Sequence, residues 1–188
     1  MTKDFAASRR NSSIAWANLC NFLLFLTGTI LGCLIAAVCP SRFSLGSCYL
    51  AVSADSFSRY ALAFSASGKF LLLLLLLSNM RSGPLLIPPL FGLEGLLLGN
   101  LFSTAYFSLG VQGIIALGIL ICFRLVLILP YGFLLGAWSV SRSLEPPESD
   151  HVLSVILLTL LLLAAATLLE GSLAWHLSQI YYYFVVGV

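Results

Sequence analysis

Between Gly83 and Trp138 the chain runs 56 residues with only two charged side chains, Glu94 and Arg124. The hydrocarbon core of a bilayer is about 30 Å thick, and a helix crosses it in roughly 20 apolar residues. A stretch of 56 residues makes two crossings with a remainder, and it carries an acid and a base into the membrane. Ionisable groups at that depth are costly and face protein or a water-filled cavity, which makes them functional candidates.

The rest of the composition agrees with a membrane setting. Hydrophobic residues make up 60% of the chain and charged residues 9%, with a mean hydropathy of +1.05. An average soluble domain is about 25% charged. A net charge of +2 with no basic run gives nothing for nucleic acid to hold. Cys20, Cys33 and Cys122 lie in apolar runs, where a cysteine acts as a small hydrophobe. Cys39 and Cys48 flank one loop; they form a disulfide if that loop is extracytoplasmic, and are otherwise two free thiols.

The pattern predicts an all-α, polytopic membrane helix bundle, a single membrane domain of about five transmembrane helices over residues 1–188. The spans are approximately 14–38, 61–79, 84–107, 111–140 and 152–175. The first is too long for a signal-peptide core of about 7–15 apolar residues and reads as an uncleaved crossing. A short interfacial helix is expected around Ser53 to Ala63, and Lys69 is near enough to the start of the second span to snorkel to the headgroups. Arg81-Ser82-Gly83-Pro84 is a turn signal, and Gly110, Gln112 and Gly113 make the next tight connection. The fourth run is broken at Pro130, because proline removes a donor and clashes with the preceding turn.

Orientation follows from the basic residues. With the N-terminus cytoplasmic, Lys3, Arg9, Arg10, Arg81 and Arg142 lie inside, against Arg42, Arg59 and Lys69 outside. The expected placement is a multi-pass cell-membrane protein with an extracytoplasmic C-terminus.

At about 1.5 Å per residue, Glu94 lies roughly 15 Å above the inner face and Arg124 about 12 Å above it. These levels nearly coincide on consecutive antiparallel helices, which predicts a Glu94–Arg124 ion pair. The pair either locks two helices in register or belongs to a transport site. Asn100 falls on roughly the opposite face from Glu94 and is a candidate for bonding another helix. Glu170 is expected about 27 Å from the inner face, near the outer headgroups. His151 and His176 sit at opposite faces, so no metal site is expected.

Three apolar runs carry glycines four apart: Gly28/Gly32, Gly95/Gly99 and Gly132/Gly136. Such pairs let helix backbones approach closely in lipid. They point to close packing within the chain or with partners, a second copy of the chain included. No phosphate-cradling loop, His-rich metal site or nucleophile elbow occurs. The expectation is a non-enzymatic protein with no catalytic residues and no cofactor, in contact with membrane lipid.

One further pattern spans most of the chain. Phe25-Leu26-Thr27-Gly28-Thr29-Ile30-Leu31-Gly32 ends the first span, and Gly83-Pro84 opens the third. Phe91-Gly92-Leu93-Glu94-Gly95-Leu96-Leu97-Leu98-Gly99, Gly110/Gly113, Leu129-Pro130 and Leu169-Glu170-Gly171 follow. In this order the chain resembles the stage II sporulation protein M family, small membrane proteins with about five spans. It departs at Tyr131-Gly132, where family members commonly have a polar dipeptide, and it lacks an expected proline beyond the terminal glutamate. The resemblance implies a membrane scaffold that recruits and positions peptidoglycan hydrolases at the septal membrane during engulfment. Gly83, Gly95, Gly99, Pro130 and Glu170 are the matching positions. They imply helix packing, a broken helix and, at Glu170 with the 39–60 segment, an extracytoplasmic partner contact.

The competing expectation is a small-solute transporter or the substrate-binding membrane subunit of one. A broken helix and buried polar groups near the midplane suit it, and Pro130, Arg124, Glu94 and Asn100 provide them. No convincing inverted repeat accompanies these residues.

Overall fold

The computed structural model describes residues 2–38, 56–144, 149–174, 176, 177 and 180, and all of these are helical except the turn at 79–82. The helices are α1 (Thr2–Val38), α2 (Ser56–Ser78), α3 (Gly83–Phe123), α4 (Leu129–Leu144) and α5 (Ser149–Leu169). A π-helical turn, Arg124–Ile128, joins α3 to α4, and a second, Glu170–Ala174, follows α5.

Three stretches are long and apolar enough to cross a bilayer: Ser12–Val38, Gly83–Ser143 and Val152–Leu173. The apolar part of α2, Ala63–Ser78, is shorter. The outer surface is itself apolar, with Ile30, Leu93, Val126, Leu134 and Leu161 each more than half exposed. A soluble monomer rarely exposes so much contiguous apolar surface, so this supports a membrane location.

The middle stretch is folded on itself. A straight α3 of 41 residues would be about 60 Å long, yet Glu94 meets Arg124 and Gly113 abuts the Ala105 carbonyl. Both pairs are centred on residue 109, so the chain reverses there. Gly110 makes the reversal with φ 65°, and among the described residues it alone has a positive φ. Only glycine takes that conformation without a steric penalty. The two arms, 83–109 and 111–123, close on Leu98, Leu101, Ala105, Leu117, Leu120 and Ile121.

The other contacts set directions. Gly28 lies against Gly92 and Leu96, and Gly32 against Leu96 and Asn100, so α1 runs parallel to the first arm of α3. Phe70 and Phe91, each eight residues from the 79–82 turn, pack edge to face at 5.3 Å, so α2 runs antiparallel to that arm. Gly68 faces Leu163 and Gly171 faces Tyr60, making α5 antiparallel to α2. Successive helical segments therefore alternate in direction. A core of Phe70, Leu71, Leu74, Ile87, Phe91, Ile128, Tyr131, Leu135, Leu163 and Ala166 ties α2, α3, α4 and α5 together.

Two sequence expectations change. The separate interfacial helix around Ser53 to Ala63 is replaced by a continuous α2 from Ser56, residues 53–55 lying outside the described residues. No glycine or proline occurs between 56 and 67 to stop the helix. Pro130 does not break the fourth helix. The chain instead widens just before it, the Leu129 N–H donating to the Arg124 carbonyl across the π turn. An extra residue in that turn accommodates the missing proline donor and its ring, and α4 continues to Leu144.

Candidate functional site

Of the three buried charged side chains among the described residues, Arg124 and Glu170 each open a π-helical turn, and Glu94 projects from the regular first arm of α3. Arg124 opens the first π turn, and its Nη2 donates to Glu94 Oε1 on the facing arm. The two side chains are 6% and 7% exposed. Register explains the meeting: with the reversal at Gly110, positions 94 and 124 stand level. In a low-dielectric interior such a pair is favourable only when both ions meet at close range, since each one alone bears a large desolvation cost.

Glu170 opens the second π turn and is 2% exposed. Its Oε2 accepts a hydrogen bond from Ser67 Oγ of α2 at 3.5 Å. Ser67 and Glu94 each lie eleven residues from the 79–82 turn, on its two sides, so both sit at the same depth, about 16 Å along the bundle. The Glu170 turn packs on α3, and its carboxylate is within electrostatic reach of Cys122. Glu94, Arg124, Ser67 and Glu170 thus form one buried polar layer. π-helical turns often mark functional sites in helices, and here both begin at a buried charge.

The layer holds opposite charges in register. Among the described residues no group of three His, Cys, Asp or Glu side chains is placed to hold a metal ion.

The predicted residues fall as follows. Glu94 and Arg124 are brought together. Gly28 and Gly32 interlock with Gly95 and Gly99: a Cβ on any of them would overlap a backbone carbonyl of the opposing helix, at Gly92, Leu96, Phe25 or Thr29. The Cys33 thiol donates across this interface to the Gly99 carbonyl at 3.4 Å. Gly132 receives Phe70 and Leu74, and Gly136 receives Asn21 and Ile87. Asn100 is buried against α1 beside Gly32. Glu170, expected near the outer headgroups, lies inside the bundle. Its depth follows the register of α5, in which Gly68 faces Leu163, Gly171 faces Tyr60 and Tyr131 Oη bonds Thr159 Oγ1 at 2.8 Å. Lys69 and His176 are exposed. Cys39, Cys48 and most of the 39–60 segment lie outside the described residues.

Three groups escaped the sequence reading. Ser67 is a single hydroxyl in an apolar run and carries no signal of its own. Phe91 stacks on Phe133 at 4.6 Å and meets Phe70 edge to face, forming an aromatic layer beneath the charges. Asn18 and Asn21, three apart in the first span, share a helix face; two amides at that spacing in a membrane segment were the available clue. Comparison of the chain with protein-family models, with curated proteins and with solved structures returns no match in any of the three.

Proposed function

We propose that this chain is a non-enzymatic, five-crossing membrane scaffold, with a cytoplasmic N-terminus and an extracytoplasmic C-terminus, that holds partner proteins at the bilayer. The observation that carries this reading is the interlock of α1 with α3 through Gly28, Gly32, Gly95 and Gly99. Helices joined backbone to backbone form a rigid platform, and packing of this kind drives association where lipid offers no hydrophobic gain. The alternating helix directions and the basic residues at the Arg81 and Arg142 end suit the five crossings and the orientation. The ordered pattern of glycines, Pro130 and Glu170 resembles the stage II sporulation protein M family. On that resemblance the partners are peptidoglycan hydrolases, and the setting is engulfment during sporulation. Glu170 is buried, so its part is to seat the end of α5 that presents the partner surface.

Cross-linking in the native host, gentle-detergent purification and mass spectrometry test this proposal. Recovery of secreted or membrane-anchored wall hydrolases is the expected result. Recovery of a cytoplasmic ATPase, or of a bound small molecule and no protein, would overturn it in favour of a transport subunit. That second reading has its own support in the buried polar layer, whose two π turns begin at Arg124 and Glu170.

A further inference from the structure

The side of α1 that faces α4 carries an unusual set of atoms. Asn21 is 1% exposed and Ser139 is 2% exposed. The oxygens Asn18 Oδ1, Asn21 Oδ1 and Ser139 Oγ are all buried and find no hydrogen-bond partner in the protein. They are close in register. The Asn21 amide nitrogen lies 2.8 Å from the Cβ position of Gly136, and Ser139 Oγ lies 2.7 Å from that of Gly83. Because α1 and α4 run in opposite directions, Asn18 and Ser139 are each one turn from the Asn21–Gly136 level, and on the same side of it. The three oxygens therefore lie within about one helical turn, roughly 5 Å, along the α1/α4 seam, with Ser139 at its edge toward Gly83 of α3.

An amide or hydroxyl buried without a partner costs about 1–3 kcal/mol by protein mutational measures. Three within one turn call for occupants that donate to them, at least two if each donates two hydrogen bonds. Charge argues against a metal cation, for among the described residues the seam offers no carboxylate and Arg142 stands one turn beyond Ser139. Size argues against a lipid headgroup, for Asn21 and Ser139 are sealed within the bundle. Water satisfies both conditions: it is small, neutral and donates two hydrogen bonds, and buried waters characteristically bridge such groups.

The surroundings supply an entrance and an end. One turn outward, Arg142 donates to Asn79 Oδ1 and lies 5.2 Å over the Trp138 ring, a polar and aromatic rim beside the 79–82 turn. One turn inward, the Phe91–Phe133 stack and Phe70 close the seam before the Glu94–Arg124 level.

We propose that the α1/α4 seam is a water-binding site, in which ordered water entering past Arg142 donates to Asn18 Oδ1, Asn21 Oδ1 and Ser139 Oγ and is stopped by Phe91 and Phe133. The site brings solvent within about two helical turns, roughly 10 Å, of the buried ion pair without reaching it. It holds for a scaffold and a carrier alike.

Radiolytic hydroxyl-radical footprinting of the full chain in lipid nanodiscs tests it, because radicals formed from bound water oxidise the side chains beside it. Ile87 borders the seam at Gly136 and is 1% exposed; Ile121 and Ile128, 0% and 1% exposed, lie elsewhere in the core. The expected result is oxidation of Ile87 at least about fivefold faster than of Ile121 and Ile128, reduced to their rate in the Asn21→Leu/Ser139→Ala double variant. Equal rates for the three isoleucines in the unaltered protein would overturn the proposal. So would an Ile87 rate unchanged in a double variant whose melting shows that it is folded.

Discussion

Helix α1 presents one side to α3 and another to α4, and the two contacts are built differently. Toward α3 the interface is made of absence: Gly28, Gly32, Gly95 and Gly99 remove side chains so that carbonyls meet the opposing Cα atoms. The opposing backbones abut at all four glycines, and among the described residues of this contact the Asn100 amide oxygen at its far end is the buried polar atom left without a partner. Toward α4 the interface contains Asn18 and Asn21, whose amide oxygens find no protein donor. In lipid, helix association depends on close packing and on hydrogen bonds rather than on hydrophobic burial. The first contact uses close packing with one thiol–carbonyl hydrogen bond, Cys33 to Gly99, and tolerates no added atom at its glycines. The second carries unspent hydrogen-bonding capacity and so is the contact that accommodates something else.

The comparison can be broken most severely at the first contact. Gly32→Leu or Gly95→Leu forces α1 and α3 apart, because the new Cβ overlaps backbone and backbone cannot swing away. A loss of at least about 3 kcal/mol is expected, read as a fall in thermal midpoint or complete failure to purify as a monodisperse species. An unchanged midpoint would show that the helices are not held backbone to backbone.

Next in size is the ion pair. Removing one partner, as in Glu94→Gln or Arg124→Met, is expected to cost about 3–5 kcal/mol, because the charge left behind stays buried without the ion it faces. A double Glu94→Leu/Arg124→Leu variant recovers most of that loss. If each single variant is as stable as the original in an unfolding titration, the charges are not coupled.

Two smaller changes sharpen the contrast. Tyr131→Phe removes the hydroxyl that bonds Thr159 at 2.8 Å, with an expected loss of about 0.5–1.5 kcal/mol in the same titration. Gly118 has nothing within 4 Å of its Cβ position. Gly118→Ala is therefore expected to stabilise by about 0.5–1 kcal/mol, since alanine restricts the unfolded chain and favours the helix. Opposite signs for Gly118→Ala and Gly32→Leu would separate packing glycines from incidental ones.

Several features of the site were legible because they depend on spacing along a single helix or hairpin. The Glu94–Arg124 level follows from counting residues on each side of a turn at Gly110, and the glycine pairs from their period. Glu170 was not legible in this way. Its depth was counted from the start of the last span, whereas its position depends on how far α5 slides along α2 and α4. Tyr131 on Thr159 and Ser67 on Glu170 are among the contacts that fix that slide, and such contacts between distant segments leave no local pattern. Pro130 shows the same limit: the residue announces a disturbance, but whether the helix breaks or widens depends on the hydrogen bonds available around it.

By itself, the sequence determined that this chain is helical, that it is apolar enough for a bilayer, where it turns, and which glycines permit close approach. Those properties are local: hydropathy over a helix length, φ freedom at one residue, side-chain size at a fixed period. Which helix each glycine meets, that Glu170 joins the buried layer, and that two asparagines and a serine share one seam were decided by the tertiary structure alone. Lateral neighbours and axial slides are set by the simultaneous fit of all the helices, and no stretch of chain holds that information alone.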